Sequence, residues 1–200
     1  KVYDNGTDFW DTNSNFQALN YSTNSSANYS ANNPQLLYHN SSLYAIWSET
    51  NADNRTQIRV KSYDGNSWSF VDGDNATKGI NKDYTQNASY PQLVKVTEGN
   101  IVRSTDYGTS WNNATFNSSS SKLYAVWLEE NGNTQVRVAE FDGTSTWSFK
   151  DGNSFDGLNL NTAKITGKPS AAAYLNKLIV AWSETNSLGV PQIRVAKSPF

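Results

Sequence analysis

Trp47-Ser48-Glu49 decides the fold together with the segment that follows it, Gln57-Ile58-Arg59-Val60. The same pattern occurs twice more, as Trp127-Leu128-Glu129 with Gln135-Val136-Arg137-Val138 and as Trp182-Ser183-Glu184 with Gln192-Ile193-Arg194-Val195. β-Branched and aromatic residues precede each Trp, and polar and apolar residues alternate in each Gln-x-Arg-Val segment, which predicts short strands. A single sheet of this kind cannot bury both faces, so the repeat indicates sheets that stack on one another.

The repeat is cut by the ends of the chain. In the first two copies an Asp-Gly turn and a Trp follow, as Asp64-Gly65 before Trp68 and Asp142-Gly143 before Trp147. The third copy reaches Phe200 without such a turn, and a matching piece stands at the other end, as Tyr3-Asp4-Asn5-Gly6 before Trp10. The array is therefore circularly permuted. We expect residues 1–12 to complete the last sheet, either in the same chain or in a neighbour.

A strand that begins at Pro34, Pro91 or Pro169 precedes each Trp-x-Glu strand. The sequence predicts one all-β domain over residues 1–200, built from modules at 34–72, 91–150 and 169–200. Each full module is a four-stranded antiparallel sheet, and the predicted arrangement is propeller-like, with a β-sandwich as the alternative. The middle module has a long insertion between Pro91 and Trp127, which is either a hairpin or the remnant of a fourth sheet.

Composition limits the classes of function. The formal net charge is −2 without a basic stripe, which argues against nucleic acid as a partner. No apolar run approaches the roughly 20 residues that span a membrane. The 7 Trp, 11 Tyr and 8 Phe supply a core without long aliphatic runs. A natural chain that begins at Lys1 is expected to be processed or to be a fragment.

Ten Asn-x-Ser/Thr sequons indicate an exported, N-glycosylated protein of the cell surface. They begin at Asn5, Asn20, Asn24, Asn28, Asn40, Asn54, Asn75, Asn87, Asn113 and Asn117. Since the chain has no Cys, a prokaryotic surface suits it better than a small disulfide-stapled secreted domain. No sequon follows Asn117, which suggests that the C-terminal third packs against a partner.

One motif within the insertion carries a family resemblance. Ser104-x-Asp106-x-Gly108-x-x-Trp111 matches every fixed position of the Asp-box. The chain thus resembles the Asp-box β-propellers, sialidase-like and related, and the tandem propeller repeats of large bacterial surface proteins. The resemblance implies that the Asp-box is a structural turn, remote from any active site.

The repeated charged residues are interpreted as structural. Glu49, Glu129 and Glu184 occupy equivalent positions, as do Arg59, Arg137 and Arg194. We expect each Glu to face the Arg of its own module across neighbouring strands. Residues that are identical in every copy maintain the repeat, whereas a glycosidase needs two carboxylates with different roles.

No other catalytic, cofactor or metal site is predicted. The single histidine, His39, is expected to be a solvated loop residue rather than a base. Two oxygen-rich stretches, Asp72 to Asn75 and Asp151 to Asp156, could hold Ca²⁺ weakly but are more simply turns.

The sequence therefore favours a non-enzymatic surface protein that assembles into a filament or surface layer by exchange of its N-terminal strand. The assembly strand would use Val2, Tyr3, Phe9 and Trp10, and the partner would be another copy of the chain. The alternative is a monomeric carbohydrate-binding or adhesion propeller, whose partners are glycans. An Asp-box glycoside hydrolase is a more distant alternative.

Overall fold

The computed structural model describes residues 18–21, 29–101, 116–152, 157–164 and 166–199, with only the backbone described at 98–101 and 116–119. These residues form a series of strands without a helix. The strands are β1 (Ala31–His39), β2 (Ser42–Thr50), β3 (Thr56–Tyr63), β4 (Trp68–Phe70), β5 (Ala88–Ile101), β6 (Phe116–Asn131), β7 (Asn133–Phe141), β8 (Trp147–Phe149), β9 (Ser170–Tyr174), β10 (Lys177–Thr185) and β11 (Pro191–Lys197).

The strands form three antiparallel sheets. The first has the order β1-β2-β3-β4, the second β5-β6-β7-β8, and the third β9-β10-β11. The register is the same in each, because the Trp of the second strand lies opposite the Arg of the third, as the pairs Trp47–Arg59, Trp127–Arg137 and Trp182–Arg194. The predicted all-β class is confirmed. No helix in the described part of the chain is long and apolar enough to cross a membrane.

The Asp-Gly turns connect the third and fourth strands of the first two sheets. Asp64 accepts hydrogen bonds at Oδ1 from the backbone N–H groups of Asn66 and Ser67, at 2.8 and 2.9 Å. Gly65 has φ = +104°, a conformation that side chains disfavour. These local bonds set the hairpin that brings Trp68 beside Tyr63.

The insertion of the middle module begins and ends as a continuation of β5 and β6. Their ladder extends to the pair Ile101–Phe116. This pairing favours the predicted hairpin over a fourth sheet. Residues 102–115, and with them the whole Asp-box (Ser104, Asp106, Gly108 and Trp111), lie outside the described residues.

The sheets pack in chain order, with β5 in contact with both β1 and β9. We call the face of a sheet that points toward the following sheet its forward face, and the opposite face its rear face. The forward face of the first sheet buries Ile46, Ile58 and Val60 in one cluster with Trp127 from the rear face of the second. The forward face of the second sheet packs in the same way on Trp182. Each sheet thus has a distinct front and back.

Glutamine side chains join the first strands of consecutive sheets. Gln35 of β1 accepts a hydrogen bond from the N–H of Leu93 at Oε1 and donates from Nε2 to the Leu93 carbonyl. Gln92 of β5 bonds in the same way to Pro169 and Ala171, at 3.1 and 2.9 Å. In the third sheet this position is Ser170, which is too short to repeat the contact. The connection therefore runs from the first sheet to the third.

Candidate functional site

A buried carboxylate cluster repeats on the rear face of all three sheets. Glu129 accepts hydrogen bonds from the indole Nε1 of Trp127 at 3.0 Å and from the backbone N–H groups of Lys82 and Asp83, both at 2.8 Å. The corresponding donors are Trp47 Nε1 and Tyr21 N for Glu49, and Trp182 Nε1, Leu160 N and Asn161 N for Glu184. The amide donors come from the linker that precedes each module. Each Glu thus fastens a linker to its sheet.

Burial raises the pKa of Glu129, while the indole of Trp127 and the two amide N–H groups oppose this shift by favouring the charged form. Both carboxylate oxygens are occupied by donors from the protein itself. Since these groups fill the acceptor positions, the carboxylate is well placed for a structural role.

The arginines do not pair with these glutamates, so that part of the prediction was wrong. The register places Gln57 opposite Glu49, and Arg59 instead binds Asp72, with Nε 2.9 Å from Oδ2. Arg137 Nε lies 3.2 Å from Asp151 Oδ2 in the second sheet. All four side chains are at most 2 % exposed. Each Asp lies just after the fourth strand and so closes the sheet onto its third strand.

The aspartates of the two pairs also bind backbone. Asp72 accepts a hydrogen bond from the N–H of Val60 at 3.0 Å, and Asp151 from that of Val138 at 3.2 Å. Burial raises the pKa of Asp72 to about 6, against the opposing charge of Arg59, so the carboxylate is ionised at neutral pH. In the described residues no three acidic, His or Cys side chains cluster as metal ligands would.

A spacing that the sequence analysis missed would have located this carboxylate. Phe70-x-Asp72 and Phe149-x-Asp151 recur after the Asp-Gly turns. The phenylalanine covers the guanidinium, with Arg59 Cζ 4.6 Å from the ring centroid of Phe70 and Arg137 Cζ 5.1 Å from that of Phe149. The repeated Phe-x-Asp is thus the signal for an arginine partner.

The third sheet lacks this closure within the described part of the chain. Arg194 Nε is buried from solvent and has no hydrogen-bond partner among the described residues, whereas the equivalent atoms of Arg59 and Arg137 lie beside carboxylates. On the forward face of β11, Ile193 is 75 % exposed and Val195 is 65 % exposed. Their equivalents in the first sheet, Ile58 and Val60, are both 0 % exposed. The open edge of the third sheet, residues 191–197, is the candidate functional site.

The linkers show what normally covers such an edge. Asn81 accepts a hydrogen bond from the N–H of Ile58 at 2.8 Å and donates to the carbonyl of Thr56 at 3.2 Å. Asn159 makes the same two bonds to Val136 and Thr134, at 3.0 and 2.9 Å. A side-chain amide thereby pairs with the outer edge of each third strand, in the way that another strand would.

The predicted glycosylation sites are only partly described. Asn40, Asn54 and Asn75 are exposed, Asn20 and Asn87 are half-buried, and the Asn87 amide donates to Glu130 Oε2 at 2.9 Å. Asn54 and Asn87 line a polar cleft of about 600 Å³ between the first two sheets. The other sequons, Asn5, Asn24, Asn28 and Asn113, lie outside the described residues, as do the assembly-strand residues Val2, Tyr3, Phe9 and Trp10; at Asn117 only the backbone is described.

His39 is not the solvated residue that the sequence suggested. It lies at the end of β1 with 4 % of its surface exposed, and its Nδ1 is 3.3 Å from Ser121 Oγ of the second sheet. Its ring also lies 6.0 Å from that of Tyr44. His39 is therefore part of the packing between the first two sheets.

Because burial disfavours the imidazolium and Lys95 repels it, the pKa of His39 is lowered from the usual 6.5. The folded state then binds this proton less readily than the unfolded state, so the contribution to stability is complete above pH 6.5 and declines as the pH falls below it. Proton NMR of the single histidine should give a midpoint below 6.5. His39→Gln should reduce the loss of stability between pH of about 7.5 and 5.5, and an equal loss in both proteins would contradict this assignment.

Comparisons with known proteins do not identify a family. No protein-family model matches the chain, and no curated protein matches it significantly. Among solved structures, one described as "Glycoside hydrolase" aligns with 86 % of this chain and 54 % of its own, at 9 % identity and a TM-score of 0.40. Another, described as a complex of BT0996 and RGII, aligns over 85 % and 53 %, with the same identity and TM-score. The chain spans about half the length of each, and these values assign neither a fold nor an activity.

Proposed function

We propose that this protein is a non-enzymatic repeat protein whose copies assemble head to tail through the open edge of the third sheet. The observation that carries the proposal is the difference in burial between equivalent residues. Ile193 and Val195 are mostly exposed, although the same positions in the first sheet are fully buried. An uncovered apolar strand with an unpaired edge is a template for strand addition.

The directional packing of the sheets supports a second copy as the partner. The forward face of each of the first two sheets fits the rear face of the next, through Trp127 and Trp182. The first sheet presents Trp47 at the equivalent rear position, and the third sheet leaves its own forward face open. A contact between the third sheet of one copy and the first sheet of another would continue the array, as in other stacked repeats.

The missing fourth strand is present in the sequence at the N-terminus. Tyr3-Asp4-Asn5-Gly6 resembles Tyr63-Asp64-Gly65, the turn that precedes β4. In the proposed assembly, residues 1–12 of one copy add to β11 of the next. Such a heterologous contact builds a filament, or a ring of several chains if the rotation closes.

The wider context of the proposal is a cell-surface glycoprotein with a propeller-like arrangement of sheets, as the sequons and the Asp-box suggest. The absence of an enzymatic role is supported by the use of the repeated carboxylates, since Glu129 is held by Trp127 and Asp151 by Arg137. These groups recur with the same contacts, whereas catalytic groups have different roles within one site.

Deletion of residues 1–12 tests the proposed function. The full chain should form concentration-dependent oligomers in sedimentation velocity, and the truncated chain should be a folded monomer that binds an added peptide of residues 1–12. A full-length monomer that unfolds upon truncation would show instead that the strand closes its own chain and would overturn the proposal. Binding of the intact monomer to a glycan array would then favour the carbohydrate-binding alternative.

A further inference from the structure

We infer that Asn20 is a clasp residue of this assembly, whose side-chain amide pairs with the edge of β11 in a second copy, at the Ile193 N–H and the Pro191 carbonyl. This inference rests on the proposed head-to-tail function and adds the residue contacts that would make it specific. Asn20 would do between copies what Asn81 and Asn159 do within the chain.

The equivalence of the three asparagines is fixed by the residue that follows each of them. Tyr21, Lys82 and Leu160 each donate their backbone N–H to the Glu of the module that comes next, at 2.9, 2.8 and 3.1 Å. Asn20, Asn81 and Asn159 directly precede these donors. Leu19 likewise matches Ile80 and Leu158, which bond through their N–H to the preceding third strand in the first two linkers.

Asn81 and Asn159 face backward, toward the sheet that their linker has just left, while the next residue faces forward. Asn81 bonds to β3 and Asn159 to β7. By the same rule Asn20 would bond to the third strand of a sheet that precedes the first one. Its side chain makes no hydrogen bond with the part of the chain that the structure describes, which leaves the amide available for that role.

The acceptor on the other side is the matching position of β11. Ile193 lies opposite Ser183 as Ile58 lies opposite Ser48, and Pro191 lies opposite Thr185 as Thr56 lies opposite Thr50. In the first sheet the N–H of Ile58 and the carbonyl of Thr56 both bond to Asn81. The corresponding groups of Ile193 and Pro191 therefore point outward along the open edge. Proline at 191 retains the carbonyl that the contact requires.

The spacing to an aspartate gives independent support. Nine positions separate Asp72 from Asn81 and Asp11 from Asn20, and eight separate Asp151 from Asn159. Phe9-x-Asp11 also repeats the Phe-x-Asp pattern of the two arginine sites. If Asn20 of a second copy docks at Ile193, Asp11 of that copy is the expected carboxylate for Arg194. This would supply a partner for a buried Nε that has none among the described residues.

The clasp excludes a glycan at the same residue. Asn20 begins the sequon Asn20-Tyr21-Ser22, whereas Asn81 and Asn159 are not sequons. N-glycosylation uses the amide nitrogen that would donate to Pro191, and it places a bulky group on the edge that must close. We therefore expect Asn20 to be unmodified in assembled protein, in contrast to the expectation from its sequon.

The test compares Asn20→Ala with Ser22→Ala, which removes the same sequon and leaves the amide. Asn20→Ala should weaken association about tenfold in sedimentation velocity, because about two hydrogen bonds are lost, with unchanged thermal stability of the monomer. Ser22→Ala should associate as wild type does. Association of Asn20→Ala at wild-type strength, or a glycan found on Asn20 in assembled protein, would overturn the clasp. If truncation of residues 1–12 abolishes assembly while Asn20→Ala does not weaken it, the clasp fails and the proposed function stands.

Discussion

Replacement of Asp151 by alanine is expected to lower the free energy of unfolding by about 3–5 kcal/mol. Asp151 and Arg137 are almost completely inaccessible, with Arg137 Nε 3.2 Å from Asp151 Oδ2. Without the carboxylate, a guanidinium would remain buried with its main opposing charge removed. The N–H of Val138 would also lose its acceptor. Urea denaturation followed by tryptophan fluorescence measures the loss.

Two further variants show whether the buried charge is responsible. Asp142→Ala removes an exposed aspartate that caps the Asp-Gly turn of the same sheet through Thr144, and it should destabilise the protein much less. The double variant Arg137→Met with Asp151→Leu replaces the ion pair by apolar groups and should recover most of the loss. A cost below about 1 kcal/mol for Asp151→Ala would contradict the role of this pair in closing the sheet.

Replacement of Ile193 by lysine is expected to abolish assembly, with a loss of association of at least about a hundredfold. In the assembled state Ile193 would occupy the environment of Ile58, which is 0 % exposed, so an ammonium group would be desolvated without a partner. In the monomer Ile193 is 75 % exposed, and its replacement should leave the thermal unfolding midpoint unchanged. Mass photometry over a range of concentrations measures the association.

The matched control for this variant is Leu188→Lys. Leu188 is 84 % exposed and lies in the loop between β10 and β11, away from the forward face. It should assemble as wild type does. Equal effects of the two substitutions would mean that added positive charge alone, rather than the position on β11, disturbs association.

The strands and turns of this fold could be predicted because their signals are local. The alternation around Trp47 and Arg59 and the Asp64-Gly65 turn depend on residues that are close together in the sequence. The order β1-β2-β3-β4 follows from such short connections. The packing of one sheet on the next depends on which face of Ile58 and Trp127 is covered, which the alternation alone does not specify.

The partners of the charged residues were harder to predict because they are not side chains on adjacent strands. Glu129 binds backbone N–H groups of the preceding linker, and any residue type can supply such donors. The partner of Arg59 is Asp72, which follows the fourth strand and looks like part of a turn in the sequence. The exposure of Ile193 depends on what covers its sheet. Its pattern is the same as that of Ile58, so only the structure distinguishes the two.

The central claim is that the N-terminal strand of one copy completes the third sheet of another. Two variants that each lack one half of the contact test it most directly when they are mixed. The chain without residues 1–12 keeps its open β11 edge, and the Ile193→Lys chain keeps its N-terminal strand. Each alone should be a monomer, and an equimolar mixture should form a dimer with one copy of each and nothing larger. A mixture that remains monomeric, although both proteins are folded, would contradict the claim.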